Sequence, residues 1–157
     1  MAEFTHFNAN GDAIMVDVSD KKETVREAIA TGTIYMNAEC FEKVVNHGIG
    51  KGDVLQTARI AGIMGAKRTS DLIPLCHILN LTKVEIDFEM KEEDGSITAY
   101  CRAKCVGKTG VEMEALTGVQ ITLLTIYDMC KAVDKRMHME NIHLCEKTGG
   151  KSGDFIC

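Results

Sequence analysis

Four side chains of this sequence are the main candidates for proton transfer: one histidine and three carboxylates. Histidine is the side-chain type best suited to acid–base chemistry near neutral pH, which favours His77, and Glu112, Glu114 and Asp128 are its candidate partners. Taken singly, a histidine at the entry to a strand or a surface carboxylate can also be purely structural. The cations that could hold negative charge near these groups are Lys51, Lys67, Arg68, Lys108, Lys131, Lys147 and Lys151. Together, these residue types predict a protein that binds a small phosphorylated molecule and transfers protons on it.

Two short glycine motifs resemble phosphate-binding loops without matching one. Residues 107–109 and 150–152 each carry a GK[ST] triplet, but a P-loop needs a glycine five residues earlier, where this sequence has Arg102 and Cys145. The first triplet lies between a predicted strand and a predicted helix, where backbone N–H groups and Lys108 can hold an anion. The motif therefore predicts local phosphate binding and not a nucleotide-hydrolysing fold.

The cysteine pattern favours a reducing compartment. Seven cysteines, odd in number and scattered, are typical of reduced thiols in a cytoplasmic protein and not of a disulfide framework. His143 and Cys145 would share a strand face, with His138 nearby, but no CxxC pair of a structural zinc site occurs. We predict no metal site, and a cysteine/histidine metal protein remains the alternative.

Length and charge limit the class of protein. The 157 residues suffice for one domain, with a loose N-terminal arm at 1–18 and a mobile tail at 148–157. A net charge of -5 argues against a nucleic-acid-binding protein. No apolar run approaches the roughly 20 residues of a membrane span, and the first residues lack the pattern of a signal peptide. These features predict a cytoplasmic protein.

Hydrophobic periodicity predicts an α+β, ferredoxin-like fold, with helices on one face of an antiparallel sheet. Small residues between 58 and 66 predict a helix that packs closely on a neighbour, and Asp94-Gly95 predicts a hairpin turn. The predicted helices are 24–28, 38–48, 52–72 and 111–135, and the predicted strands are 33–37, 82–90, 96–106 and 141–146.

The long helix predicted at 111–135 carries an apolar stripe that can cover a sheet. Its other face combines Glu114 and Asp128 with apolar residues, which simple solvent exposure does not explain. These two acids are 14 residues apart, or about 21 Å along a helix, so one small ligand cannot touch both in one chain. If both serve one site, a second copy of the chain supplies one of them.

Five collinear motifs add a specific resemblance. The strings KGDVLQTARIAGIMGAKRT, DLIPLCH, GKTGVEMEALTG, LTIYDMCKAV and KTGGKSGDF resemble, in this order and spacing, the cyclic pyranopterin monophosphate synthase family of molybdenum-cofactor biosynthesis. The resemblance runs from about Met15 to Phe155. This sequence has Ile78 where the family pattern usually has proline after the histidine.

The resemblance implies a particular assembly and reaction. It implies a homohexamer made of three dimers, with the active sites between subunits. It also implies conversion of 3′,8-cyclo-7,8-dihydroguanosine triphosphate, supplied by a radical S-adenosylmethionine enzyme acting on GTP, into cyclic pyranopterin monophosphate and pyrophosphate. No resident cofactor is implied, and a Mg²⁺ ion accompanying the triphosphate is left open. A non-catalytic nucleotide- or pterin-binding module of the same fold is the alternative.

The resemblance also assigns residues. Asp128 matches the family's catalytic aspartate, and Lys131 and Lys51 match its lysines. The substrate-binding residues that it implies are Leu75, Cys76, His77, Met113 and Glu114, followed by Glu112, Arg26, Lys67 and Lys147 as second choices.

Overall fold

The computed structural model describes residues 4–46 and 53–157. Its centre is a five-stranded antiparallel sheet in the order β2-β3-β1-β4-β5. The strands are β1 (Thr24–Tyr35), β2 (Leu81–Lys91), β3 (Ser96–Gly107), β4 (His138–Thr148) and β5 (Phe155–Ile156).

Four helices complete the fold: α1 (Ala38–Val45), α2 (Val54–Lys67), the single turn α3 (Thr69–Leu72) and α4 (Glu112–Cys130). α4 packs across β1 and β3, and α2 packs beside it against β2. The buried core lies between this helix layer and the sheet and includes Ile34, Ile86, Ile97, Leu123 and Ile126. The antiparallel sheet with helices packed on one face confirms the predicted α+β, ferredoxin-like class.

The helix predicted at 24–28 is wrong, because these residues begin strand β1. The spacing of Thr24 and Glu27 fits a capping box, but Thr24, Val25 and Ile29 are β-branched and favour a strand. β1 pairs with both β3 and β4, so two neighbouring strands satisfy its backbone. Long-range pairing therefore overrides the local helix pattern. The strand predicted at 33–37 is only the end of β1.

The other predicted elements occur with different bounds. α1 ends at Val45, and the last predicted residues of this helix, 47–48, lie outside the described residues. The helix predicted at 52–72 is split into α2 and α3 at Arg68. The helix predicted at 111–135 stops at Cys130, before the buried Asp134, whose carboxylate accepts the backbone N–H of Asn37 at 2.8 Å. β5 was not predicted, since two residues carry no readable period.

α2 and α4 meet at glycines, which confirms that the small residues of α2 allow close packing. A Cβ on Gly62 would lie 2.0 Å from Oγ1 of Thr122 and 3.0 Å from the carbonyl oxygen of Gly118. Thr122 is fully buried, and its hydroxyl donates to that same carbonyl at 2.7 Å. The threonine therefore has little room to move away.

Gly62→Ala is expected to destabilise the protein by about 1–3 kcal/mol, because overpacking exceeds the gain in helix propensity. Urea unfolding at a fixed protein concentration measures this change. Adding Thr122→Ala removes the clashing oxygen, so the two substitutions should be strongly non-additive. Gln56→Ala, an exposed change in α2, is the control. A Gly62→Ala protein as stable as this control would contradict the packing argument.

The N-terminal arm and the tail both have described structure. The arm contains a turn at Asn8 and an isolated bridge between Phe7 and Ala13, and Val16 contacts His77 through its carbonyl oxygen. The tail returns to the sheet as β5, which pairs with β4. Within the described ranges, no helix is long and apolar enough to cross a membrane.

Candidate active site

A cation-rich cleft of about 750 Å³ lies at the start of α4, between β1, β4, the tail and the segment 20–22 that precedes β1. Six basic and two acidic side chains line it, so its local charge opposes the net negative charge of the chain. Such a cleft suits a polyphosphate. Its charged residues are Asp20, Lys21, Lys22, Arg26, Lys108, Glu112, Lys147 and Lys151.

The sheet register brings two predicted residues to this cleft. Arg26 is in β1, and its guanidinium donates to the carbonyl oxygens of Gly107 (3.4 Å) and Lys108 (3.2 Å). Lys147 is in β4, where its ammonium lies 3.5 Å from Oε1 of Glu112 and also hydrogen-bonds to the Ser152 hydroxyl. Two carbonyl oxygens, a hydroxyl group and one carboxylate therefore orient these two cations, and among these partners only Glu112 carries a negative charge.

A second compartment of about 290 Å³ adjoins the cationic cleft. It brings together the two segments predicted to bind substrate, residues 75–77 and 112–114, together with parts of the arm. Lys21, Thr109, Gly110 and Glu112 line both spaces, so the two lie side by side. The pair of compartments can hold one ligand with an anionic end and a polar ring system.

His77 is held in place by the arm. Its Nε2 lies 2.7 Å from the carbonyl oxygen of Val16, and because a carbonyl only accepts, Nε2 carries a proton. In the neutral ring, Nδ1 is then the acceptor. The arm thus selects the tautomer of a histidine that lines the second compartment.

Glu114 is a buried carboxyl group in the wall of the second compartment, only 4% exposed. Burial raises its pKa from 4.5 to about 7, with a smaller contribution from the charge of Glu112. Burial, and then the charge of Glu114, also raise the pKa of Cys76. A carboxyl group with this pKa can either donate or accept a proton near neutral pH.

Asp128 and Lys131 form a separate pair at the other end of α4. Oδ1 of Asp128 lies 2.7 Å from Nζ of Lys131, and this hydrogen bond, followed by the charge of Asp128, raises the pKa of the lysine. Their side chains are 70% and 55% exposed, and neither residue lines the two compartments at the helix start. One chain therefore does not bring this pair to the cleft.

Two further predicted cations, Lys67 and Arg68, do not line the cleft. Lys67 ends α2 and lines a different groove of about 420 Å³, together with Lys83. Leu79 lines both this groove and the second compartment, so Lys67 is close to the site without entering it. Lys51 lies outside the described residues.

Sequence reasoning missed the contribution of residues 19–23, which connect the arm to β1. Lys21 lines both compartments, Lys22 lines the cleft, and the ammonium of Lys108 donates to the carbonyl oxygen of Ser19 at 2.8 Å. The adjacent lysines at 21 and 22 were the available signal. Among the described residues, 4–46 and 53–157, no cluster of three or more His, Cys, Asp or Glu side chains could hold a metal ion.

Comparison with known proteins gives the class to which this fold and site belong. The profile of the MoaC family matches residues 15–150, and the chain belongs to this family. A protein of Clostridium perfringens (strain SM101 / Type A) named cyclic pyranopterin monophosphate synthase is 58% identical over 153 residues, covering 98% of this chain and 97% of that protein.

Two further relatives carry the same name. The protein of Bacillus mycoides (strain KBAB4) is 56% identical over 158 residues, covering 99% of this chain and 98% of its own length. That of Heliobacterium modesticaldum (strain ATCC 51547 / Ice1) is 56% identical over 156 residues, with the same coverage. Family membership at this identity ties the chain to molybdenum-cofactor biosynthesis and agrees with the resemblance carried by the five motifs.

Proposed function

We propose that this protein is a cyclic pyranopterin monophosphate synthase. Its substrate would be 3′,8-cyclo-7,8-dihydroguanosine triphosphate, delivered by a radical S-adenosylmethionine enzyme, and its products cyclic pyranopterin monophosphate and pyrophosphate. The observation that carries the proposal is that a six-cation cleft adjoins a compartment lined by His77, Cys76 and the buried Glu114. Near-full-length relatives named for this activity support it.

The two compartments suit the two halves of such a substrate. Lys147, Arg26 and their neighbouring lysines would hold the triphosphate and stabilise the charge of the departing pyrophosphate. Residues 75–77 and 113–114 would hold the base-derived rings, where His77 and Glu114 can exchange protons during ring opening and closure. Glu112, which lines both spaces, would position Lys147 at their junction.

Asp128 would be the main general acid/base, assisted by Lys131 and Lys51. Because the Asp128–Lys131 pair lies at the far end of α4, we propose that a second subunit supplies it, within a hexamer of three dimers. Large apolar side chains exposed on the same helix layer support an interface there: Ile60 and Met64 of α2 and Leu124 of α4 are each more than half exposed. Leu124 is one turn from Asp128, so contact on this layer would also cover the acid.

The chemistry proposed here transfers protons and a phosphoryl group without net oxidation. We therefore propose that no organic cofactor takes part. Activity that persists in excess EDTA would show that Mg²⁺ is not required either. Loss of activity that returns on adding Mg²⁺ would assign the ion to the bound triphosphate.

The test of the function is incubation of the purified protein with 3′,8-cyclo-7,8-dihydroguanosine triphosphate. We expect release of pyrophosphate together with a product of the mass of cyclic pyranopterin monophosphate. GTP, which has the same triphosphate without the new ring bond, is the control and should release none. Tight binding of the cyclic triphosphate without either product would favour the non-catalytic binding module.

A further inference from the structure

Two cysteines face each other across the last strand pair of the sheet. Glu146 pairs with Ile156 in the β4–β5 register, which places Cys145 opposite Cys157, and the Cys157 N–H donates to the Cys145 carbonyl oxygen at 2.8 Å. Residues directly opposite in an antiparallel pair have Cα atoms about 4.5–5.5 Å apart and side chains on one face. This spacing falls within the range of about 4.4–6.8 Å found in disulfides.

This pair differs from the thiols of the core in its access to solvent. Cys145 is half-buried and Cys157 is exposed, whereas Cys40, Cys101 and Cys130 are completely buried in the core. Burial, and then the charge of Cys157, raise the pKa of Cys145, which agrees with two neighbouring sulfur atoms. Both can meet a small oxidant without unfolding of the sheet.

We propose that Cys145 and Cys157 are a redox-active dithiol whose oxidation by a low-molecular-weight disulfide, such as glutathione disulfide, ties β5 to β4. The exposed Cys157 thiolate attacks the oxidant, forms a mixed disulfide and releases one glutathione thiolate. The Cys145 thiolate then attacks the Cys157 sulfur and releases the second glutathione. Two cysteine thiols lose two electrons and two protons in total, and one glutathione disulfide becomes two thiols.

The bond would fix the loop that forms one wall of the cationic cleft. Residues 149–154 connect β4 to β5, and Lys151 and Ser152 line the cleft. Gly150 of this loop lies against the guanidinium of Arg26, another residue of the cleft: a Cβ on Gly150 would be 2.1 Å from Nη1 of Arg26. β5 has only two residues, and Ile156 is 78% exposed, so little apolar burial holds it in place. A covalent bond therefore changes how firmly the loop is attached.

The first test equilibrates the protein with glutathione redox buffers, blocks free thiols and digests it with trypsin. Oxidation should join peptide 137–147 to peptide 152–157 with the loss of two hydrogen atoms, and dithiothreitol should separate them. Cys157→Ser and Cys145→Ser should each abolish the joined peptide. Phenylarsine oxide, which binds neighbouring dithiols, should bind the reduced wild type at this pair and neither variant there. Failure to obtain the joined peptide at any glutathione ratio would overturn the proposal.

The second test measures the clamp, by which we mean the attachment of β5 and residues 149–154 to β4 through the Cys145–Cys157 bond. Limited trypsin cleavage after Lys151 should be at least several-fold slower in the oxidised protein than in the reduced protein, and oxidant should not change the rate for Cys157→Ser. An equal rate for the two wild-type forms would overturn the clamp. Neither readout uses substrate, so this failure is distinct from a failure of the synthase activity.

The effect on the cleft rests on the proposed function and is measured with inorganic triphosphate. Binding by the reduced protein tests the phosphate site alone. Slower dissociation from the oxidised protein tests the coupling of the clamp to the cleft. Equal dissociation rates of bound triphosphate from the two forms would overturn this coupling.

Discussion

Replacing Asp128 with asparagine is expected to lower kcat by at least about 100-fold, since removing a general acid/base usually costs a factor of 10²–10⁴. Asparagine keeps the size of the side chain but cannot accept the proton. Because Asp128 is 70% exposed in one chain, the fold should survive. Pyrophosphate release in a single turnover measures the effect, and size-exclusion chromatography checks the assembly.

Glu39→Gln is a matched control for this substitution. Glu39 is 68% exposed and forms an ion pair with Lys43 at 2.8 Å, much as Asp128 does with Lys131, but it is in α1 and does not line the cleft. The control should keep full activity. An Asp128→Asn protein that is as active as this control would exclude a catalytic role for Asp128.

Mixing two inactive variants tests whether the site is shared between subunits. Co-expression of Asp128→Asn with Lys147→Ala should restore about a quarter of the wild-type activity, because a random quarter of sites pair an intact cleft with an intact partner helix. Each variant alone should be nearly inactive. If the mixed assemblies remain inactive, Asp128 and Lys147 of the same chain must serve one site, against the helix-length argument.

The wild-type protein is expected to lose free energy of unfolding as the pH rises from 5 to 8, because Glu114 is buried. Replacing Glu114 with glutamine should abolish this loss. The folded protein has a Glu114 pKa of about 7, above the ordinary value of 4.5. The folded state therefore binds a proton that the unfolded state lacks, and stability falls as pH rises through this window. The full effect is about 3 kcal/mol, from a shift of that size at 1.36 kcal/mol per pKa unit.

Urea unfolding of wild type and Glu114→Gln at pH 5 and pH 8 measures this effect. The glutamine cannot ionise, so the variant should gain about 2.5 kcal/mol over the wild type between the two pH values, slightly less than the full effect because pH 5 already lies above the ordinary pKa of 4.5. Glu112→Gln makes the same chemical change on the more exposed side of the helix start and should leave most of the difference in place, because the charge of Glu112 is only the smaller cause of the shift. A constant gap between Glu114→Gln and wild type across this range would contradict burial as the cause.

Local periodicity was enough to predict most elements, but not where the chain pairs over long distances. β2, β3 and α4 have strong two- or 3.6-residue patterns, and their predicted positions agree with the structure to within a few residues, except at the C-terminal end of α4. The start of β1 was missed because its strand state depends on β3 and β4, which are distant in sequence. β5 was missed because it exists only by pairing with β4.

The amino-acid sequence was enough to identify the family and to name candidate residues for the chemistry. His77, Glu114 and the paired Asp128 and Lys131 could be named in advance because short motifs and helix spacing are local properties. Which of these candidates lie together could be seen only in the folded chain. Folding places Lys21, Arg26 and Lys147 around one cleft, because strand pairing and helix packing join residues that are distant in sequence. Folding also buries Glu114, and its pKa rises because desolvation depends on all the groups packed around the carboxyl group.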